Sequence, residues 1–190
     1  MKERLRTLYD AQKIGTPELL NAIAQGWITA KDAKEIVGEE KALDFVKACK
    51  LDEISRACHT TITKGFDVPD LDNAHFNLST EDQSNIANLF KVVELGGTEY
   101  PYQADGGVCK VYSAEDITKI YFAAQTLITT QTTYHNALKA YVQTLQDVDS
   151  IEAITYGQEL PPEIKAQIEE KLKVAQQQLE KIIANILRRQ

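Results

Sequence analysis

The stretch SAEDITKIYFAAQTLITTQTTYHNALKAYVQTL, running from Ser113 to Leu145, decides how the chain folds. Ser113 followed by Asp116 gives the N-cap and acidic N3 pattern of a capping box, with Asp in place of the usual Glu. Apolar residues then recur at Ile117, Ile120, Tyr121, Ala124, Leu127, Ile128, Tyr134, Leu138, Tyr141, Val142 and Leu145, with no Gly or Pro between them. That period predicts a single helix of about nine turns. Such a helix needs apolar neighbours along its whole length, from its own chain or from sister chains.

Immediately upstream, Thr98–Tyr112 carries the only good strand signal in the chain. Glu-Tyr-Pro-Tyr, a turn at Asp105-Gly106-Gly107, and a strand alternating around Cys109 and Val111 predict one β-hairpin. Pro101 makes its first strand an edge, and a lone hairpin, marginal in water, must lie against the helices. Ser79 with Asp82 opens a helix striped by Ile86, Leu89, Phe90 and Val93, which Gly96-Gly97 ends. Phe66–Leu78, with Pro69 and several Asp and Asn, reads as a loop or extended crossing segment. Before it, Lys41–Lys64 reads as a helix with Leu43, Val46, Leu51, Ile54, Cys58 and Ile62 on its inner face, stopped by Gly65.

The first forty residues are written in shorter words. Residues 3–11 place Leu5, Leu8 and Tyr9 on one helical face. Thr16 as N-cap with Pro17 at N1 opens a second helix that Gly26 ends; Thr29 with Asp32 opens a third that Gly38 ends. Trp27, Ile14, Leu20 and Ile28 are expected to form a miniature core. Downstream of Leu145, Ile151–Tyr156 reads as a short strand, and Pro161-Pro162 starts a last helix to about Leu187. Ile168, Leu172, Ala175, Leu179, Ile182 and Ile186 alternate four- and three-residue spacings along it, widened by Ile164, Ile183 and Leu187, with Arg188-Arg189 facing the C-terminal dipole. Two readings of this stripe stand open: packing on the helix at 114–145, or a symmetric bundle or docking contact with another protein.

Composition narrows the function classes. The 190 residues are 43% hydrophobic and 26% charged, ordinary for a folded protein. The net charge of −7 is uneven: +1 over residues 1–50, −10 over 51–160 and +2 over 161–190. An acidic middle repels phosphate backbones, so no nucleic-acid partner is expected. No apolar run approaches a membrane span, and Met-Lys-Glu-Arg leads into an amphipathic segment, so the expectation is a chain made in a cytoplasm with no membrane partner. Cys49, Cys58 and Cys109 have no paired spacing and are expected to be free, mostly buried thiols. His59, His75 and His135 show no metal-ligand spacing either. No phosphate loop, nucleophile elbow, HExxH or paired catalytic carboxylates occur; Glu81-Asp82 and Glu115-Asp116 are helix-capping acids. The expectation is therefore no enzyme, no metal and no cofactor. The eight tyrosines include Tyr100, Tyr102, Tyr112 and Tyr156 near the predicted strands, where core and rim packing is the expected role.

Two resemblances sharpen this. The run Leu8-Tyr9-Asp10-Ala11, Leu20-Asn21-Ala22-Ile23-Ala24-Gln25-Gly26-Trp27-Ile28-Thr29 and Glu35-Ile36-Val37-Gly38 resembles the small XkdX-type proteins encoded among tail genes of phages and prophages of Gram-positive bacteria, over about residues 3–38. The ordered set Gly65-Phe66, His75-Phe76-Asn77-Leu78-Ser79-Thr80-Glu81-Asp82-Gln83-Ser84-Asn85-Ile86, then hairpin and long helix, is similar to an uncharacterised domain of phage tail and tail-fibre proteins, over about residues 51–156. Neither resemblance supplies a catalytic residue.

The resulting expectation is a mainly α protein with a helical hairpin module (1–40), a central α domain with one long helix and a small β-hairpin (41–157), and a C-terminal amphipathic, coiled-coil-like helix (158–190). The resemblances imply a non-enzymatic structural component of a phage or prophage-derived tail, in the baseplate or tail-fibre region of the virion. Its partners would be other tail proteins, and it would form a homo-oligomer if the last helix self-associates. The alternative is a tail-fibre assembly chaperone absent from the mature particle. Trp27, Ile168, Leu172, Leu179, Ile182 and Ile186 are the candidate interface residues.

Overall fold

The computed structural model describes residues 1–188, without the side chains of Glu40 and Leu187. Arg189 and the Leu187 side chain, both invoked above for the last helix, therefore lie outside the described residues. The protein is mainly α: among the described residues eight helices form, α1 (Lys2–Asp10), α2 (Thr16–Ala24), α3 (Ala30–Val37), α4 (Glu39–Thr63), α5 (Thr80–Glu94), α6 (Ala114–Thr144), α7 (Val148–Glu152) and α8 (Pro162–Leu187). Two separate two-stranded antiparallel sheets accompany them, β1 (Phe66–Val68) with β2 (Ala74–Phe76), and β3 (Glu99–Gln103) with β4 (Cys109–Ser113).

Three helices start on the same device. Thr29, Ser79 and Ser113 each accept a hydrogen bond on the side-chain oxygen from the N–H three residues on, 3.1 Å in all three cases. Asp32, Asp82 and Asp116 each accept one in return from the cap's own N–H, at 3.0, 3.1 and 3.2 Å. Two helix-end donors are satisfied each time, and the shorter Asp serves as well as Glu. α2 differs by one position from the sequence reading. Its cap is Gly15, whose N–H donates to Glu18 Oε2 at 2.7 Å, so Pro17 sits at the second helical residue.

By contact, the chain divides into two compact units: Met1–Arg56 with Leu138–Gln158, and Ala57–Ala137 with Glu159–Gln190. α4 and α6 contribute residues to both. These are units of packing, whereas the three segments above are divisions along the sequence.

In the first unit the core gathers Leu5, Leu19, Ala22, Ile28, Ala33, Ile36 and Phe45, with α1 packed on α3. Two expectations fail here. Leu19 rather than Leu20 is fully buried, and Trp27 stands 54% exposed. The reason is the way α2 ends. Gly26 at φ +69° lets its N–H reach the Ile23 carbonyl and lets the Trp27 N–H reach the Ala22 carbonyl, both at 2.9 Å. This Schellman closure turns the chain so that Ile28, not the indole, enters the core. A further correction is Ile151–Tyr156, which is not a strand. Asp147 accepts from the Ser150 N–H at 2.8 Å and caps α7, and the buried Ile151 and Ile154 follow helical spacing.

In the second unit the core comes from α4 (Cys58, Ile62), α5 (Ile86, Leu89, Phe90, Val93) and the first turns of α6 (Ala114, Ile117, Ile120, Ala124). Phe90 and Tyr121 stack with centroids 3.9 Å apart. The segment 66–78 corrects the sequence reading: it is a second hairpin, with Phe66 opposite Phe76 and Asp67 opposite His75. Its connection is a 3-10 turn at Pro69–Leu71 followed by Asp72 and Asn73 in the left-handed region, at φ +57° and +54°. Asp and Asn tolerate that conformation better than bulkier residues. The expected hairpin β3–β4 forms in the register Tyr100↔Tyr112, and its Tyr102 and Tyr112 pack on Phe76 at 6.2 and 6.1 Å.

Candidate functional site

α8 presents the first candidate surface, within the second unit. Ile168, Leu172 and Leu179 are half-buried and Ile186 is 8% exposed, but Ile182 is 46% exposed. Ile164, Ala175 and Ile183 complete the covered line. The covered spacings are thus 4, 4, 3, 4, 4 and 3 from Ile164 to Ile186. That average lies close to the 3.6-residue period of a straight helix packed on its own chain, rather than the 3.5 of a supercoiled seam. Ile182, on the heptad but off the covered line, is left at the surface together with Val174, 55% exposed. On the other flank of α8, Glu180, Ile183 and Ala184 line a groove of about 490 Å³ with Glu115, Thr118, Lys119 and Phe122 of α6. Lys119 is committed there: Glu115 lies 3.0 Å and Asp70 3.7 Å from its ammonium, which raises its pKa.

Trp27 is the second candidate and belongs to the first unit. It stands between α2 and α3, where its N–H donates to the Ala22 carbonyl at 2.9 Å. Among the described residues its own fold makes little use of the ring, whereas its neighbour Ile28 is 7% exposed.

Polar groups that the sequence reading passed over sit inside the first unit. Lys47 and Lys50 are buried on α4. Lys50 Nζ donates to Glu53 Oε2 at 2.8 Å, to the Ile154 carbonyl at 2.8 Å and to the Glu152 carbonyl at 3.3 Å, and Lys47 Nζ donates to the Gln143 carbonyl at 3.0 Å. The two lysines take up carbonyls at the ends of α6 and α7 that have no helical partner. Only their positions on the inner face of α4, three residues apart and in line with Val46 and Ile54, could have shown this, and a charged residue in an apolar stripe is ordinarily read as a break in it.

The remaining chemistry-bearing residues do not converge. Cys58 is buried with its thiol 3.7 Å from the Gln131 carbonyl, Cys49 is half-buried and Cys109 exposed, so the expectation of mostly buried thiols holds for Cys58 alone. Burial pushes the Cys49 thiol up to about 11, the opposite of an activated nucleophile. His75 bonds Asp67 and the Lys64 carbonyl, and His135 lies on α6. Among the described residues no group of three or more His, Cys, Asp or Glu could hold a metal ion, and no helix is long and apolar enough to cross a membrane.

Compared with known proteins, the chain matches one family profile, described as Domain of unknown function (DUF4376), over residues 45–156, more than half of its length. No curated protein matches, and no solved structure does.

Proposed function

The chain belongs to the family described as Domain of unknown function (DUF4376), a description that assigns no activity, and from that premise we propose that it is a non-enzymatic structural component of a phage or prophage-derived tail, in the baseplate or tail-fibre region, working through contacts with other tail proteins. The two sequence resemblances motivate this reading. The observation that carries it furthest is Trp27: the Gly-Trp-Ile-Thr turn, on which the N-terminal resemblance rests, holds its indole 54% exposed while Ile28 fills the core. A large ring that its own fold leaves in water is the kind of residue that dominates protein interfaces when a partner covers it. Ile182 and Val174 on α8 offer a second such surface.

The test is Trp27→Ala in the full chain. The expected result is an unchanged thermal transition together with loss of the chain from purified particles. Undiminished incorporation would remove Trp27 as the contact.

A further inference from the structure

Beyond any role in assembly, the second unit holds a small cleft of about 280 Å³ lined by Asn85, Asn88, Leu89 and Val92 of α5 and by Tyr100 and Tyr102 of β3. We propose that this cleft binds a single pyranose ring of a neutral carbohydrate, stacked on the tyrosines and hydrogen-bonded by the two asparagines.

The sequence builds the cleft from two periodicities. Asn85, Asn88, Leu89 and Val92 follow the i, i+3, i+4, i+7 spacing that puts side chains on one face of α5, and Tyr100 and Tyr102, two apart, share one face of β3. Leu89 is 5% exposed and supplies an apolar floor. Tyr102 is steadied by its parallel stack on Phe76, interplanar angle 4°. Tyr100 is the informative residue. It is paired across the hairpin with Tyr112, yet Tyr112 is 6% exposed and Tyr100 43%. The core is filled by one tyrosine of the pair, and the other presents its ring to the cleft.

The polar atoms point the same way. Asn85 and Asn88 are exposed at the rim of the cleft, which leaves their side-chain amides open to a ligand. Each offers two donors and one acceptor, the set that vicinal hydroxyls on a ring require. No lining residue carries a charge, so an ionic ligand would surrender its hydration without a partner. Asp82 and Asp105 lie near enough to Tyr102 to raise its pKa further, beyond the effect of burial, which disfavours anions again. What remains is a neutral ligand with an apolar face and a hydroxylated rim, and a volume at the small end of ligand pockets limits it to one ring.

The experiment is a titration of the ¹⁵N-labelled full chain with the methyl glycosides of glucose, galactose and mannose and with N-acetylglucosamine, followed by amide spectra and by saturation transfer to the sugar. The expected result is a saturable shift of the Asn85 and Asn88 side-chain amides with at least one of the four. Tyr100→Ala and Asn88→Ala should each weaken it about tenfold while Tyr100→Phe retains it. Both positions are solvent-facing, and the same spectra report whether each variant is folded. Absence of a saturable shift with all four sugars would overturn the proposal. So would binding that neither Tyr100→Ala nor Asn88→Ala weakens. Because the titration uses the isolated chain, its outcome is independent of whether the chain is found in tails.

Discussion

Both ring nitrogens of His75 face acceptors: Nδ1 lies 2.7 Å from Asp67 Oδ1 and Nε2 lies 2.8 Å from the Lys64 carbonyl. A carboxylate and a carbonyl can only accept, so this geometry needs a proton on each nitrogen, and the pKa of His75 is raised chiefly by Asp67. Facing it from the β3–β4 turn is Asp105, whose N–H donates to the His75 carbonyl at 2.9 Å and whose carboxylate accepts from the Asn77 N–H at 3.1 Å. A group whose folded pKa is raised stabilises fully below its unfolded value, near 6.5, and that contribution fades as pH rises through the folded value. The protein should therefore lose a little stability on alkaline titration from about pH 6.5 upward. Asp67→Asn should move the His75 ring titration, followed by NMR, back towards 6.5; an unshifted midpoint would show that the pair does not form. Thiol labelling follows burial: Cys109 should react first, Cys49 slowly, and Cys58 only on unfolding. Gly65 is strictly required, since at φ +76° a Cβ would stand 1.9 Å from the Phe76 carbonyl oxygen. Gly65→Ala should cost more than about 1 kcal/mol in denaturant titration.

At the scale of elements, α8 separates self-packing from partner contact. Ile186→Asp buries an unpaired carboxylate and should destabilise the protein by about 2–4 kcal/mol, whereas Ile182→Asp should change stability by less than about 0.5 kcal/mol. Thermal melts of the two variants check this, and equal losses would mean that Ile182 is packed after all. Lys50→Ala removes the donor for the Glu152 and Ile154 carbonyls and should cost about 1–3 kcal/mol. The elements legible in the sequence are those with a cap and a long period. Ser113 with Asp116 and an unbroken stripe gave α6 to within a residue or two, and Ser79 with Asp82 did the same for α5. β1 and β2 were missed because three residues each are too few for alternation to show, and α7 because five residues carry barely one turn of helical period. The cleft of α5 and β3 was out of reach for another reason. Tyr100 and Tyr112 are opposite partners and share one face of the hairpin, so only tertiary packing, which no local pattern encodes, decides that Tyr112 is covered and Tyr100 is not.

For the whole molecule, the surface keeps the apolar residues Trp27, Val174 and Ile182 exposed. Together with the two resemblances, these residues are the ground for the proposal of a part held between other proteins. If copies of the chain associate through α8, Val174→Glu with Ile182→Glu should lower the mass measured by light scattering while leaving the melt unchanged; an unchanged mass would exclude that face as a self-contact. The most direct measurement is a quantitative mass-spectrometric inventory of purified tail particles from cells that carry this gene. The account predicts the chain at a fixed stoichiometry with the other tail proteins, retained through gradient purification. A chain abundant in the lysate but absent from the particles would contradict it.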